Sequence, residues 1–134
     1  MRNLRMEQKR FKKKWTELQR ELLANFEEYS KIHDTLQTTQ SNISATNVPE
    51  GGVIAKFEAV IYHLKKVVDK FESQIHHSQK NWKHGDESLL IFIQSYKNEV
   101  NVKRKVVENL YQWRLIPSDV VRTYQIILET EPYL

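Results

Sequence analysis

Ile54, Phe57, Ile61, Leu64, Val68, Phe71 and Ile75 recur at strictly alternating steps of three and four residues. At about 3.6 residues per helical turn, this spacing returns every side chain to one stripe. The segment is therefore an amphipathic helix whose apolar stripe needs a cover. Two further stripes bracket it. Phe11, Trp15, Leu18, Leu22, Phe26, Tyr29 and Leu36, with Ile32 or His33 filling the gap, mark a first helix that begins before Phe11 and runs to about Leu36. That stretch is rich in Lys, Glu, Gln, Leu and Arg and has no Gly or Pro, so propensity agrees with pattern. Leu89, Ile93, Tyr96, Val100, Lys103, Val107 and Leu110 mark a third helix, about Glu87 to Trp113.

The connections are readable from punctuation. Residues about 37–52 form a polar connection of Ser, Thr, Asn, Pro and Gly with no sustained period. Asn81 to Asp86, containing Gly85, is a turn short enough to make the second and third helices antiparallel neighbours, with Asp86 or Ser88 placed to cap the third. Pro117 interrupts the third helix, and Ser118 is placed to cap a short fourth. The apolar face of that fourth helix is Val120 or Val121, Tyr124, Ile127 and Leu128, and Pro132 ends it. Three glycines and three prolines are too few for an all-β chain with many turns. The expectation is one all-α domain over residues 1–134, with three long amphipathic helices and a short C-terminal one in an antiparallel bundle or coiled coil.

A first helix of about 26 residues spans about 39 Å, more than a small globule needs. Its apolar surface is expected to overhang its own hairpin, so a partner chain would complete the seams. Phe11, Trp15, Trp82, Tyr111, Trp113 and Tyr133 lie near helix ends, where a small bundle buries them only partly, and exposed aromatics favour interfaces.

Lys103 is the charged exception in the third stripe. An unpaired ammonium is not tolerated in a dry core, so it must snorkel to water, find an acid, or face something other than its own core. Glu99 lies four residues earlier, and the two can close on each other at the edge of the stripe. Arg104 and Glu108 form a second pair of the same spacing. Exposed pairs of this kind are worth about 0.3–0.5 kcal/mol each.

Little in the sequence points to catalysis. There is no Gly-rich phosphate loop, no His-Glu-x-x-His and no cysteine, which excludes disulfides and thiolate metal sites. His76 and His77 diverge on a helix, His77 with His84 lacks a third ligand, and His63 reads as a boundary residue beside the second stripe. Glu27, Glu28, Glu99 and Glu108 fall on charged faces. The reading is a protein that is not an enzyme and takes no cofactor and no metal. No segment resembles a signal peptide or a membrane span, so a soluble intracellular protein without membrane contact is expected.

The net charge of +4 is unevenly placed: residues 1–20 carry a local balance of +6, and the remainder sums to −2. The basic N-terminal arm, about residues 1–14, includes Lys9, Arg10, Lys12, Lys13 and Lys14. Clustered cations of this kind release counterions from a polyanion, which makes a nucleic-acid-binding module the alternative function. A solvated helix end is the plainer reading. A small helical cytokine is a third, disfavoured by the missing signal peptide and cysteines.

Tyr96, Glu99, Lys103, Arg104, Val106 and Leu110, with hydrophobics between them, resemble the C-terminal helix signature of the cyclin-dependent-kinase-2-interacting protein (CINP) family. Asp119, Tyr124 and the Pro132-Tyr133-aliphatic ending continue the resemblance over about residues 90–134. Trp15 with Leu18 and Leu22, and Phe57 to Ile75, match that family by pattern. The chain departs from it by an insertion of about two residues around Trp113 to Ile116 and by Asn101 where a hydrophobic residue is expected. A sibling family, the AFG2-interacting ribosome maturation factor, is similar in layout at Tyr96, Lys103 and Arg104. The resemblance implies a non-catalytic adapter, nuclear or cytoplasmic, that pairs with a second small helical protein. It also implies association with an AFG2-type AAA+ ATPase in pre-60S ribosome maturation and in chromatin and replisome protein turnover. On this reading Trp15, Tyr96, Glu99, Lys103, Arg104, Trp113, Tyr124 and Tyr133 are the candidate partner-interface residues, and self-association is a further possibility.

Overall fold

The structure, a computed structural model, describes residues 4–42, 51–81 and 87–134. Helix α1 spans Leu4–Asn42, α2 Gly51–Asn81, α3 Glu87–Asn109 and α4 Ser118–Thr130, with a single 3₁₀ turn at Leu110–Gln112 between α3 and α4. No strand occurs among the described residues, and the all-α bundle expected from the three stripes is present. Residues 43–50 of the polar connection, Trp82, His84, Gly85 and Asp86 lie outside the described residues.

Three boundaries differ from expectation. Helix α1 continues past Leu36 to Asn42, and α2 begins at Gly51, so much of the connection is helical. The Thr and Ser residues after Leu36 differ from good helix formers by only tenths of a kcal/mol each, roughly, and no Gly or Pro stops them. Helix α3 ends at Asn109 and tightens into the 3₁₀ turn rather than running to Trp113. Ser118 does not cap α4: the Pro117 carbonyl accepts from the Val120 and Val121 amides at 3.1 and 3.2 Å, and no side chain caps the end.

The direction of each helix follows from which side chains meet. Trp15 packs on Phe71 and Tyr29 on Phe57, so α2 runs antiparallel to α1. Phe57 stacks on Trp113 while Lys103 lies over Phe71, so α3 runs antiparallel to α2 and parallel to α1. Helix α4 returns along α1, beginning near His33 and ending beside Trp15.

All the expected stripe positions of α1 and α3 are buried, and His33 rather than Ile32 fills the α1 gap. Those of α2 are buried too, except Ile54, which is partly so. Each buried Leu, Ile or Phe contributes about 1.5–3 kcal/mol relative to exposure. The expected apolar overhang of α1 is not found between Phe11 and Leu36, because α2, α3 and α4 of the same chain cover it. Phe11, Trp15 and Trp113 are likewise buried rather than half-exposed at helix ends, whereas Tyr111 and Tyr133 are exposed.

Candidate functional site

Position 103 is where this fold spends its unusual chemistry. The heptad stripe of α3 points Lys103 into the bundle, and its side chain is 0% exposed. Its ammonium lies 3.2 Å from Glu131 Oε2 and 3.8 Å from Glu99 Oε1, and it donates a hydrogen bond to Gln19 Oε1 at 2.8 Å. The rings of Trp15 and Phe71 complete the cage, with centroids 5.6 and 5.3 Å from Nζ. All four helices meet there: Trp15 and Gln19 come from α1, Phe71 from α2, Glu99 and Lys103 from α3, and Glu131 from the end of α4.

Glu131 is held by its backbone as well as by its charge. It adopts φ 46 and ψ 69, the one non-glycine residue with positive φ among the described residues, and its amide donates to the Ile127 carbonyl. The left-handed conformation costs a residue with a Cβ about 1–2 kcal/mol and is the usual way for a helix to stop. The helix thus ends at Thr130 with Glu131 as its cap, just ahead of Pro132. The stop turns the carboxylate inward, where Trp15 Nε1–H donates to Oε2 at 2.6 Å. Around it, Gln19 Nε2 donates to the Leu128 carbonyl at 2.6 Å, and the Tyr133 amide donates to Glu99 Oε2 at 3.0 Å.

Burial dominates the electrostatics. It lowers the Lys103 pKa below its ordinary 10.5, opposed by the Glu131 and Glu99 carboxylates. It raises the Glu99 pKa above 4.5, opposed by the Tyr133 amide and the Lys103 ammonium and reinforced by the Glu131 charge. Glu99 Oε1 has no hydrogen-bond partner, so its 3.8 Å approach to Lys103 is a charge contact only. The tighter pair is therefore Lys103 with Glu131, and Glu99 serves chiefly as acceptor for the C-terminal backbone. Tyr96, whose ring packs on Phe11 and Trp15 with centroids 4.7 Å away, has its phenol pKa raised by burial and then by Glu131.

The expected Glu99–Lys103 pair at the stripe's edge is thus a buried contact, and the partner that matters lies on another helix. Glu99 does not fall on a charged face. Arg104 does not pair with Glu108: it reaches across to Asp69 Oδ1 at 3.2 Å and to Glu72 on α2. His63 is exposed and contacts only the edge of Tyr62 among the described rings. Of the candidate interface residues, Trp15, Tyr96, Glu99, Lys103 and Trp113 are buried in the chain's own core, Arg104 and Tyr124 are partly buried, and Tyr133 is exposed. Lys9, Arg10, Lys12, Lys13 and Lys14 are all exposed, and the Lys12 ammonium lies 5.7 Å from the centre of the Phe92 ring.

Gln19 and Glu131 were not singled out by pattern. Gln19 follows Leu18 and reads as surface, and Glu131 sits at a helix end beside Pro132. His33 is the alternative that fills the α1 gap. It is fully buried, and its Nε2–H donates to the Ile116 carbonyl at 2.7 Å, which fixes the tautomer and leaves Nδ1 without a partner. Beside it Tyr29 donates to the Leu110 carbonyl at 3.1 Å. Burial raises the Tyr29 pKa, so it stays a donor.

The cage is closed, and every polar group in it is aimed at another part of the chain. Its contacts tie the four helices to one another. Among the described residues no group of three or more His, Cys, Asp or Glu is placed to hold a metal ion, and no helix is long and apolar enough to cross a membrane. No family model, no curated protein and no solved structure matches this chain.

Proposed function

We propose that the protein is a non-catalytic helical adapter that presents the outside of a self-closed bundle to a second small helical protein. Through that pairing it joins an AFG2-type AAA+ ATPase complex working in pre-60S ribosome maturation and in chromatin and replisome protein turnover. The observation that carries the adapter reading is where the exposed aliphatic residues lie. Leu90 and Ile91, adjacent near the start of α3, are 63% and 69% exposed in a chain that otherwise buries its stripes well, and Leu115 is 80% exposed at the other end of the bundle. Adjacent exposed apolar side chains such as Leu90 and Ile91 favour association with another protein. The resemblance of residues 90–134 to the CINP family supports the choice of partners. Glu99 and Lys103 of that signature lie inside the bundle and Arg104 ties α3 to α2 at its surface, so the contact with a partner falls on neighbouring exposed positions.

The test is affinity purification of the tagged chain from its own cells, alongside Leu90→Asp with Ile91→Asp. Both substitutions lie at exposed positions, so the bundle should remain folded. The expected result is co-purification of an AAA+ ATPase and a second small helical protein with the unmodified chain, and loss of the helical protein with the variant. Recovery of the chain alone, sedimenting as a stable monomer, would remove the reading.

A further inference from the structure

The clearest unbalanced charge on the molecule lies along the outer side of α1 near its N-terminal end. Elsewhere several cations are neutralised by acids of the same chain: Lys31 by Glu27, Lys70 by Glu21, Arg104 by Asp69 and Glu72, and Lys103 by Glu131. Lys9, Arg10, Lys13, Lys14 and Arg20 are exposed, and none of them forms an ion pair among the described residues. At roughly 100° per residue, Lys9, Lys13 and Arg20 fall on one line along the helix, with Arg10 and Lys14 on the line beside it. The first line faces away from Phe11, Trp15 and Leu18, which are buried, and the second runs along their flank. From Lys9 to Arg20 the stripe is about 16 Å long. Glu17 is the acid that interrupts it, and the Thr16 hydroxyl is turned back onto the Lys12 carbonyl.

We propose that this stripe is a second binding surface, one that docks on the phosphate backbone of a nucleic-acid duplex without reading its sequence. A duplex carries one negative charge per about 1.7 Å of its axis, so a 16 Å row of cations meets several phosphates at once and releases their counterions. Two observations choose the duplex over other anionic partners. Surfaces built for single strands stack bases on exposed aromatic rings, but Phe11 and Trp15, the aromatics of this basic segment, are buried and packed on Tyr96. A helix that lies in a membrane surface inserts an apolar face, and the apolar face of α1 is committed to the bundle. The phosphate backbone is common to DNA and RNA, and binding to either meets the proposal.

The experiment is fluorescence anisotropy of the full chain with short DNA and RNA duplexes of unrelated sequence, titrated over salt. A variant with Lys9→Gln, Lys13→Gln and Arg20→Gln is compared with a control carrying Lys56→Gln and Lys65→Gln, exposed cations of α2. Circular dichroism melts confirm that both variants fold. At about −0.9 per neutralised phosphate, up to five contacts give a slope of log affinity against log salt of roughly −3 to −4.5. The stripe variant should lose about three units of that slope, while the control keeps it and duplexes of different sequence bind alike. Absent binding at low salt, a slope unchanged in the stripe variant, or tighter binding to polyglutamate or phosphatidylserine vesicles than to either duplex would overturn the proposal.

Discussion

The two ends of α4 are each tied to the rest of the bundle, and with different chemistry. Near the 3₁₀ turn the ties are neutral. Tyr29 and His33 donate to the Leu110 and Ile116 carbonyls, groups that a closing helix leaves without intrahelical donors, while Trp113 stacks flat on Phe57 with ring centroids 4.4 Å apart. At the other end the ties are ionic: buried Lys103 and Glu99 meet the partly buried Glu131 and fix where α4 stops. A neutral donor on a carbonyl satisfies backbone that the fold would strand in any case. A buried ion pair adds little net stability over a well-packed apolar substitute, but it penalises any arrangement that separates the charges. The first end secures a turn, and the second selects one position of α4 against the others.

If that contrast is right, breaking the ionic end costs most. Lys103→Met leaves the buried Glu99 and the partly buried Glu131 without their cation and should destabilise the chain by about 3–5 kcal/mol, read as a lowered urea midpoint. At the neutral end Tyr29→Phe removes one hydrogen bond with little change of shape and should cost about 1 kcal/mol. Equal losses for the two variants would erase the distinction. Arg104→Ala removes a tie between α2 and α3 that is open to solvent, and screening holds its loss to less than about 1 kcal/mol, a shift in midpoint that high salt should largely abolish.

A smaller effect sharpens the ionic end itself. Burial raises the Glu99 pKa above 4.5, so the folded chain holds that proton more tightly than the unfolded one. The contribution is fully present below the unfolded pKa and is lost as pH rises through the raised folded value. Glu99→Gln should therefore gain stability relative to the unmodified chain as pH climbs out of the carboxylate range. A series of urea midpoints against pH checks the sign, and a gap that closes with rising pH would contradict it.

Much of the architecture was legible, because stripes of apolar residues at helical spacing leave few alternatives. The α3 stripe marked Lys103 as a charge among apolar positions but left open whether it snorkels, pairs or faces a partner, and the structure buries it against Glu131. What pattern could not supply was its partner. Glu131 is on a different helix and reads as an exposed residue before Pro132, and only its left-handed backbone carries the carboxylate inward. Gln19 escaped for a related reason: it lies at the edge of the α1 stripe, and what buries it is α4, whose Leu128 carbonyl it meets. Local spacing likewise suggested Glu108 for Arg104, whereas packing brought two acids of α2 closer. The cap of α4 was misread because Ser118 is a favoured capping residue, yet Pro117 presents its own carbonyl to the first amides.

A double-mutant cycle on Lys103→Met and Glu131→Gln, each alone and together, measures by urea denaturation the coupling that this account makes central. It predicts that the double variant is distinctly more stable than the two single losses sum to, since removing the Glu131 charge relieves what Lys103→Met strands, with an interaction term of at least about 1 kcal/mol. Additivity to within about 0.3–0.5 kcal/mol would mean that Lys103 and Glu131 do not hold α4 through each other.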